Sequence, residues 1–211
     1  MKKKTNNKQS GFTLVEILVA TAIFSSFMVV AVDSFINILN VENKTNVLRK
    51  TQEDTSGILE SIMREARSAN GVFDASGKRV EPAYSVASNS LTIKSTENST
   101  VTETVYSLDT NGILSRTQSK MLIGYGYGSP TTDPLNDMSS VKINVFTPSI
   151  IWPPNCNGSN SSNPATKDYY INCPPMLKVE INSENGEGAR NDKQAFTAKV
   201  DLQSSATPRN Y

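Results

Sequence analysis

Twenty-one consecutive residues, Phe12 to Val32 (FTLVEILVATAIFSSFMVVAV), contain one charge, Glu16, and no glycine or proline. As a helix rising 1.5 Å per residue they would span roughly 31 Å, the thickness of the hydrocarbon core of a bilayer. Asp33 closes the run, and Lys2, Lys3, Lys4 and Lys8 precede it, with no acid before Glu16. Basic residues before a first span stay on the cytoplasmic side, so the precursor is expected to cross the membrane once, everything after Asp33 lying beyond it. An ordinary secretory signal has a shorter apolar core with a small-x-small cleavage site behind it, whereas Ala20-Thr-Ala22 lies in the middle of this run. A plain anchor leaves Glu16 unexplained. A carboxylate one turn inside an apolar segment costs on the order of a few kcal/mol and needs a partner or a job.

The rest of the composition narrows the chemistry. Among 211 residues there is no histidine, which removes Ser-His-Asp and Cys-His catalysis, imidazole metal ligation and imidazole general bases. Two cysteines are too few for a thiolate zinc site. No G-x-S-x-G or metal-binding cluster occurs, so an enzyme is not expected, and neither a metal nor a cofactor is assigned. Lys+Arg is 21 against Asp+Glu 20, a balance that does not drive nucleic-acid binding by bulk charge.

Past the apolar run no proline occurs before Pro82, and the pattern stays helical to Asn70-Gly71, a good stop. Leu48, Thr55, Ile58, Leu59, Ile62, Ala66 and Ala69 recur at three- and four-residue steps as one stripe that should pack on a sheet. Arg49–Glu53, Lys50–Asp54 and Glu60–Arg64 are opposite charges at i,i+4 on the other surface. After Gly71 come short alternating segments: 90–94, 101–108, 113–116, 141–146, 176–181 and 196–202. Asp109-Thr-Asn-Gly112 should turn the chain between two of them. A long helix covering one face of an antiparallel sheet is an α+β arrangement.

The segment Ser10-Gly11-Phe12-Thr13-Leu14-Val15-Glu16 resembles the prepilin motif of type IV pilins and type II secretion pseudopilins, and the continuation ILVATAIF is similar to that family too. The resemblance implies a basic leader, 1–11, cut by a membrane prepilin peptidase between Gly11 and Phe12, and N-methylation of Phe12. It implies that Glu16 pairs with the Phe12 amine of a neighbouring subunit and so sets the register of assembly. The partners implied are other pilins or pseudopilins, prepilin peptidase, the inner-membrane assembly machinery and, before assembly, membrane lipid. The expected organisation is a helix over 12–70, its first half (12–32) for membrane and assembly and its second (33–70) amphipathic, then a β-rich head over 71–211. The order Leu91-Thr-Ile93, Val105-Tyr-Ser-Leu108, Gly112-Ile-Leu-Ser-Arg116 resembles the J-type minor pseudopilins and related minor pilins, so a minor subunit of a periplasmic or extracellular filament is expected.

Residues 124–138 and 148–175 read as loops by composition. The second holds six prolines and both cysteines, Cys156 and Cys173. Outside the membrane these are expected to form a disulfide, free thiols in a reducing compartment being the alternative. Tyr125, Tyr127, Trp152, Tyr169 and Tyr170 flank or sit in the two loops, either packed onto the sheet or offered to a ligand. Asp133, Asp137 and Asp168 match no calcium-loop spacing. The rival function is a tip adhesin or a DNA-binding minor pilin. That would need the fold to gather Arg116, Lys120, Lys142, Lys178 and Lys199 into one patch, and nucleic acid stays open as a partner.

Overall fold

The computed structural model describes residues 12–74, 76–77, 79–123, 126–152, 175–186 and 198–207. Helix α1 runs Leu14–Ser68. Among the described residues ten strands follow: β1 Val72–Phe73, β2 Arg79–Glu81, β3 Tyr84–Ala87, β4 Ser90–Glu97, β5 Thr100–Leu108, β6 Leu114–Leu122, β7 Thr131–Pro134, β8 Val141–Ile151, β9 Met176–Asn185 and β10 Lys199–Ala206. The class is α+β, with every strand pair antiparallel. The chain divides into two compact units, 1–45 and 46–211, so the boundary falls inside α1.

Within the second unit, β3-β4-β5-β6-β7 form a five-stranded meander, β10-β9-β8 a three-stranded sheet, and β1-β2 a small ribbon. The alternation read from the sequence places Leu91, Ile93, Tyr106 and Leu114 in one core with Ile143, Phe146, Leu177, Val179 and Ile181. Helix residues Ile58, Leu59, Ile62, Met63 and Ala66 join that core. Its covered stripe starts one turn later than expected: Leu48 is exposed, and Thr51 is the first buried helix residue. Thr51 and Thr55 are tolerated there because their hydroxyls donate to the carbonyls of Val47 (3.0 Å) and Thr51 (2.7 Å). Thr55 also shares a 2.7 Å hydrogen bond with Ser183 of β9.

Asn70 and Gly71 end the helix as expected, and they also dock it. Gly71 adopts φ 88°, and its N–H donates to the Lys94 carbonyl at 3.0 Å. The Asn70 amide pairs with the backbone of Thr96 in both directions, at 3.0 and 2.7 Å.

Of the i,i+4 pairs, Arg49–Glu53 (3.6 Å) and Glu60–Arg64 (3.1 Å) form. Asp54 instead accepts a 2.6 Å bond from Ser140 Oγ in the loop before β8. Two loop assignments are corrected. Residues 131–134 add β7 to the meander, and β8 runs on through Pro148 to Ile151. Both strands sit at sheet edges, where a proline lacking an N–H costs no ladder bond. Strands β1, β2 and β3 had no sequence signal, being only two to four residues long.

Candidate functional site

Among its described residues the first unit buries nothing. Every residue from Phe12 to Asn46 is exposed, and the side chains on the surface include Phe24, Phe27, Val30, Phe35 and Ile38. Such a surface demands cover from outside the chain. One 18-residue window of α1 reaches a mean hydropathy of 2.3, so the helix is long and apolar enough to cross a membrane. Its few hydroxyls are compatible with lipid because they are satisfied internally. Thr21 donates to Leu18 O (3.0 Å), Ser25 to Thr21 O (2.7 Å), Ser26 to Ala22 O (3.0 Å) and Ser34 to Val30 O (2.8 Å).

Phe12 and Thr13 precede the first helical residue, Leu14, and Phe12 is 79% exposed. Thr13 is the N-cap. Its hydroxyl accepts the Glu16 N–H at 3.3 Å, and its carbonyl accepts Glu16 N–H (3.1 Å) and Ile17 N–H (3.3 Å). Glu16 therefore sits in the first turn, where the helix dipole favours a negative charge. Its carboxylate forms no ion pair among the described residues. Gly11 and Lys2, Lys3, Lys4 and Lys8 lie outside the described residues, as do Cys156 and Cys173 and the bridge expected between them.

The second unit spends its polar groups on itself. Glu65 of α1 accepts hydrogen bonds from Thr104 Oγ1 (3.0 Å) and from the Tyr106 hydroxyl. Burial, then that carboxylate, push the Tyr106 phenol well above its ordinary pKa. Burial alone does the same to Tyr84, whose hydroxyl donates to Ala66 O at 2.6 Å.

Lys94 is gripped by Glu81 and, at 3.1 Å, by Glu103. Burial opposes its charge, but bonding and attraction from both carboxylates outweigh this and raise its pKa. Asn136 is a junction that no sequence pattern announced. Its Oδ1 accepts Leu114 N–H (2.7 Å), and its Nδ2 donates to the carbonyls of Gly112 (3.0 Å) and Val141 (2.9 Å).

Of the cations that the rival function would need, Lys142 and Lys199 flank Glu184 across neighbouring strands. Arg116 and Lys120 lie in the meander, and Lys142, Lys178 and Lys199 in the three-stranded sheet. Arg116 faces Asp133 at 3.7 Å, Lys142 faces Glu184 at 3.6 Å and Lys178 faces Glu180 at 2.6 Å. Asp133 is thus engaged, and the Asp137 carboxylate accepts from the Ser139 side chain and N–H, which lowers its pKa. Asp168 lies outside the described residues. Among the described residues no group of three or more acidic or thiol side chains is placed to hold a metal. Tyr127 pairs back onto Met121 of β6.

Residues 6–32 match the family model for the prokaryotic N-terminal methylation motif. No curated protein and no solved structure matches the chain.

Proposed function

Because the chain carries the prepilin-type N-terminal motif of the type IV pilin and pseudopilin family, we propose that it is a minor structural subunit of a type IV filament or a type II secretion pseudopilus. The carrying observation is a coincidence within one segment. The methylation motif over 6–32 lies on a helix whose residues 12–46 bury nothing of their own. A membrane covers that surface in the precursor, and neighbouring helices cover it in the filament. The resemblance of the head strands to J-type minor subunits supports the minor assignment.

In this function the chain is the substrate of a peptidase. Hydrolysis of the Gly11–Phe12 bond releases the leader, leaves a carboxylate on Gly11 and frees an amine on Phe12. Loss of Lys2, Lys3, Lys4 and Lys8 takes the side-chain balance from +1 to −3. The new amine, N-methylated, is the cation that compensates Glu16 of an adjoining subunit. A pair of buried opposite charges is tolerable, whereas either alone is costly, so the pair also fixes axial register. The head provides the contacts with other minor subunits, and a disulfide between Cys156 and Cys173 belongs to the same proposal.

Intact-mass analysis of the filament-associated form tests this. It should begin at methylated Phe12. A form beginning at Met1, or at a residue beyond the helix, would overturn the proposal.

A further inference from the structure

We propose that the turn Asp109-Thr110-Asn111-Gly112 modifies itself, Asn111 becoming aspartate and isoaspartate while Asp109 carries the proton. This chemistry needs no partner and is independent of the proposed function. An asparagine before glycine is open to attack by the next backbone nitrogen, because glycine has no Cβ to block the approach. The chain has four such pairs: Asn70-Gly71, Asn111-Gly112, Asn157-Gly158 and Asn185-Gly186. The third lies outside the described residues.

The remaining three are alike in sequence and differ in how the fold holds them. Both ends of the Asn70 amide are tied to the Thr96 backbone, at 3.0 and 2.7 Å, and the Gly71 N–H to Lys94 O at 3.0 Å. Asn185 is buried, its Oδ1 accepting Ala198 N–H at 2.8 Å, and the Gly186 N–H is held by Ser140 O at 2.8 Å. Asn111 is exposed on a turn. Its Nδ2 reaches Asp109 Oδ2 at 3.3 Å, and the Gly112 N–H reaches Asp109 O at 3.3 Å. Attack at Asn111 needs only that turn to open, whereas attack at Asn70 or Asn185 needs the end of α1 or of β9 to come away.

Asp109 lies against both nitrogens that react. Its exposed carboxyl is kept below the usual carboxylate range by the N–H of Ile113 first, then by Asn111, with the Gly112 N–H adding to them, so it is ionised at neutral pH. The Gly112 nitrogen bonds to Asn111 Cγ, and its proton passes to the Asp109 carboxylate. The Cγ–Nδ2 bond breaks, and the nitrogen takes that proton and leaves as ammonia. Water then opens the cyclic imide at one carbonyl to aspartate or at the other to isoaspartate. Either product sets a carboxylate beside Asp109 where an amide donated before. Isoaspartate also routes the main chain through an extra carbon just ahead of Gly112. The Gly112 carbonyl holds Ile143 N–H (3.1 Å) and Asn136 Nδ2 (3.0 Å), and even a Cβ there would lie 2.6 Å from Lys142 Cγ. The modified turn therefore loosens from β8.

Peptide mass mapping of the detergent-solubilised full-length chain, aged at neutral pH, tests this, since exchange of the amide NH2 for OH adds about one dalton. Asn111 should convert roughly tenfold faster or more than Asn70 and Asn185, and the urea-unfolded chain should convert the three at similar rates. Equal rates in the folded chain, or the same ranking in urea, overturn the proposal. Asp109→Asn keeps an acceptor oxygen but removes the base, and should slow conversion of Asn111 severalfold. An unchanged or faster rate overturns the proton-carrying role. Ageing should lower the melting temperature of the unaltered chain but not of Asn111→Gln, and an equal fall in both overturns the loosening from β8.

Discussion

Asn136 and Tyr106 show how single side chains hold the second unit together. Asn136 satisfies one N–H and two carbonyls where β6, the β5–β6 turn and β8 converge, and Leu114 is completely buried. Asn136→Ala leaves those groups unpaired and should cost on the order of 3 kcal/mol in urea unfolding of the detergent-solubilised chain. Asn136→Asp should be no better, since it sets a carboxylate oxygen against two carbonyls.

Tyr106 and Tyr84 are both protonated more tightly in the fold than in the unfolded chain. Their contribution is therefore complete below the ordinary phenol value of 10.0 and declines as pH climbs above it. Thermal unfolding should show stability falling above about pH 10. Tyr106→Phe, which removes one titrating phenol, should flatten that fall while lowering stability near neutrality through loss of the bond to Glu65.

At the scale of elements, glycines mark where backbone conformation or space decides. A Cβ at Gly57, in the middle of α1, would meet nothing within 4 Å. Gly57→Ala should therefore stabilise the fold by about 0.5–1 kcal/mol, seen as a melting temperature raised by roughly 2–4 °C. Gly186 is the opposite case. Its N–H bonds to Ser140 O at 2.8 Å, and a Cβ there would lie 2.1 Å from Met138 O, so Gly186→Ala should lower the same melting temperature. Turns follow similar logic. Asp109 accepts from the N–H groups of Asn111 (2.9 Å) and Ile113 (2.7 Å), and Gly112 takes φ 89°. The β4–β5 hairpin turns on Asn98 and Ser99, both at positive φ, as a two-residue hairpin loop requires.

The whole molecule divides by what its surfaces need. The second unit satisfies itself with a core and internal polar partners, while the helix of the first unit needs lipid or other helices. In the proposed function Glu16 connects that need to assembly. Glu16→Ala should leave membrane insertion intact, since it removes a charge from an apolar segment, yet abolish entry into the filament. Membrane fractionation and filament shearing would read the two outcomes, and normal co-assembly would refute the assembly role.

The local features were legible in the sequence because they are short-range. An uninterrupted apolar run, an i,i+3/i+4 stripe, period-two segments and an Asn-Gly stop each act through neighbours in the chain, and the structure keeps all four. The N-terminal methylation motif was equally legible, being a linear pattern of neighbouring residues. What only the tertiary structure decided are the long-range arrangements. The meander closes with β7 at its edge, a proline is admitted into β8 because that strand has one free side, and Asp54 turns from Lys50 to Ser140. The junction at Asn136 joins segments whose meeting no local pattern encodes, and the strand order sets Lys142 and Lys199 on either side of Glu184. Backbone propensity and hydrophobic period act over a few residues, whereas edges, junctions and partners are created when distant segments meet.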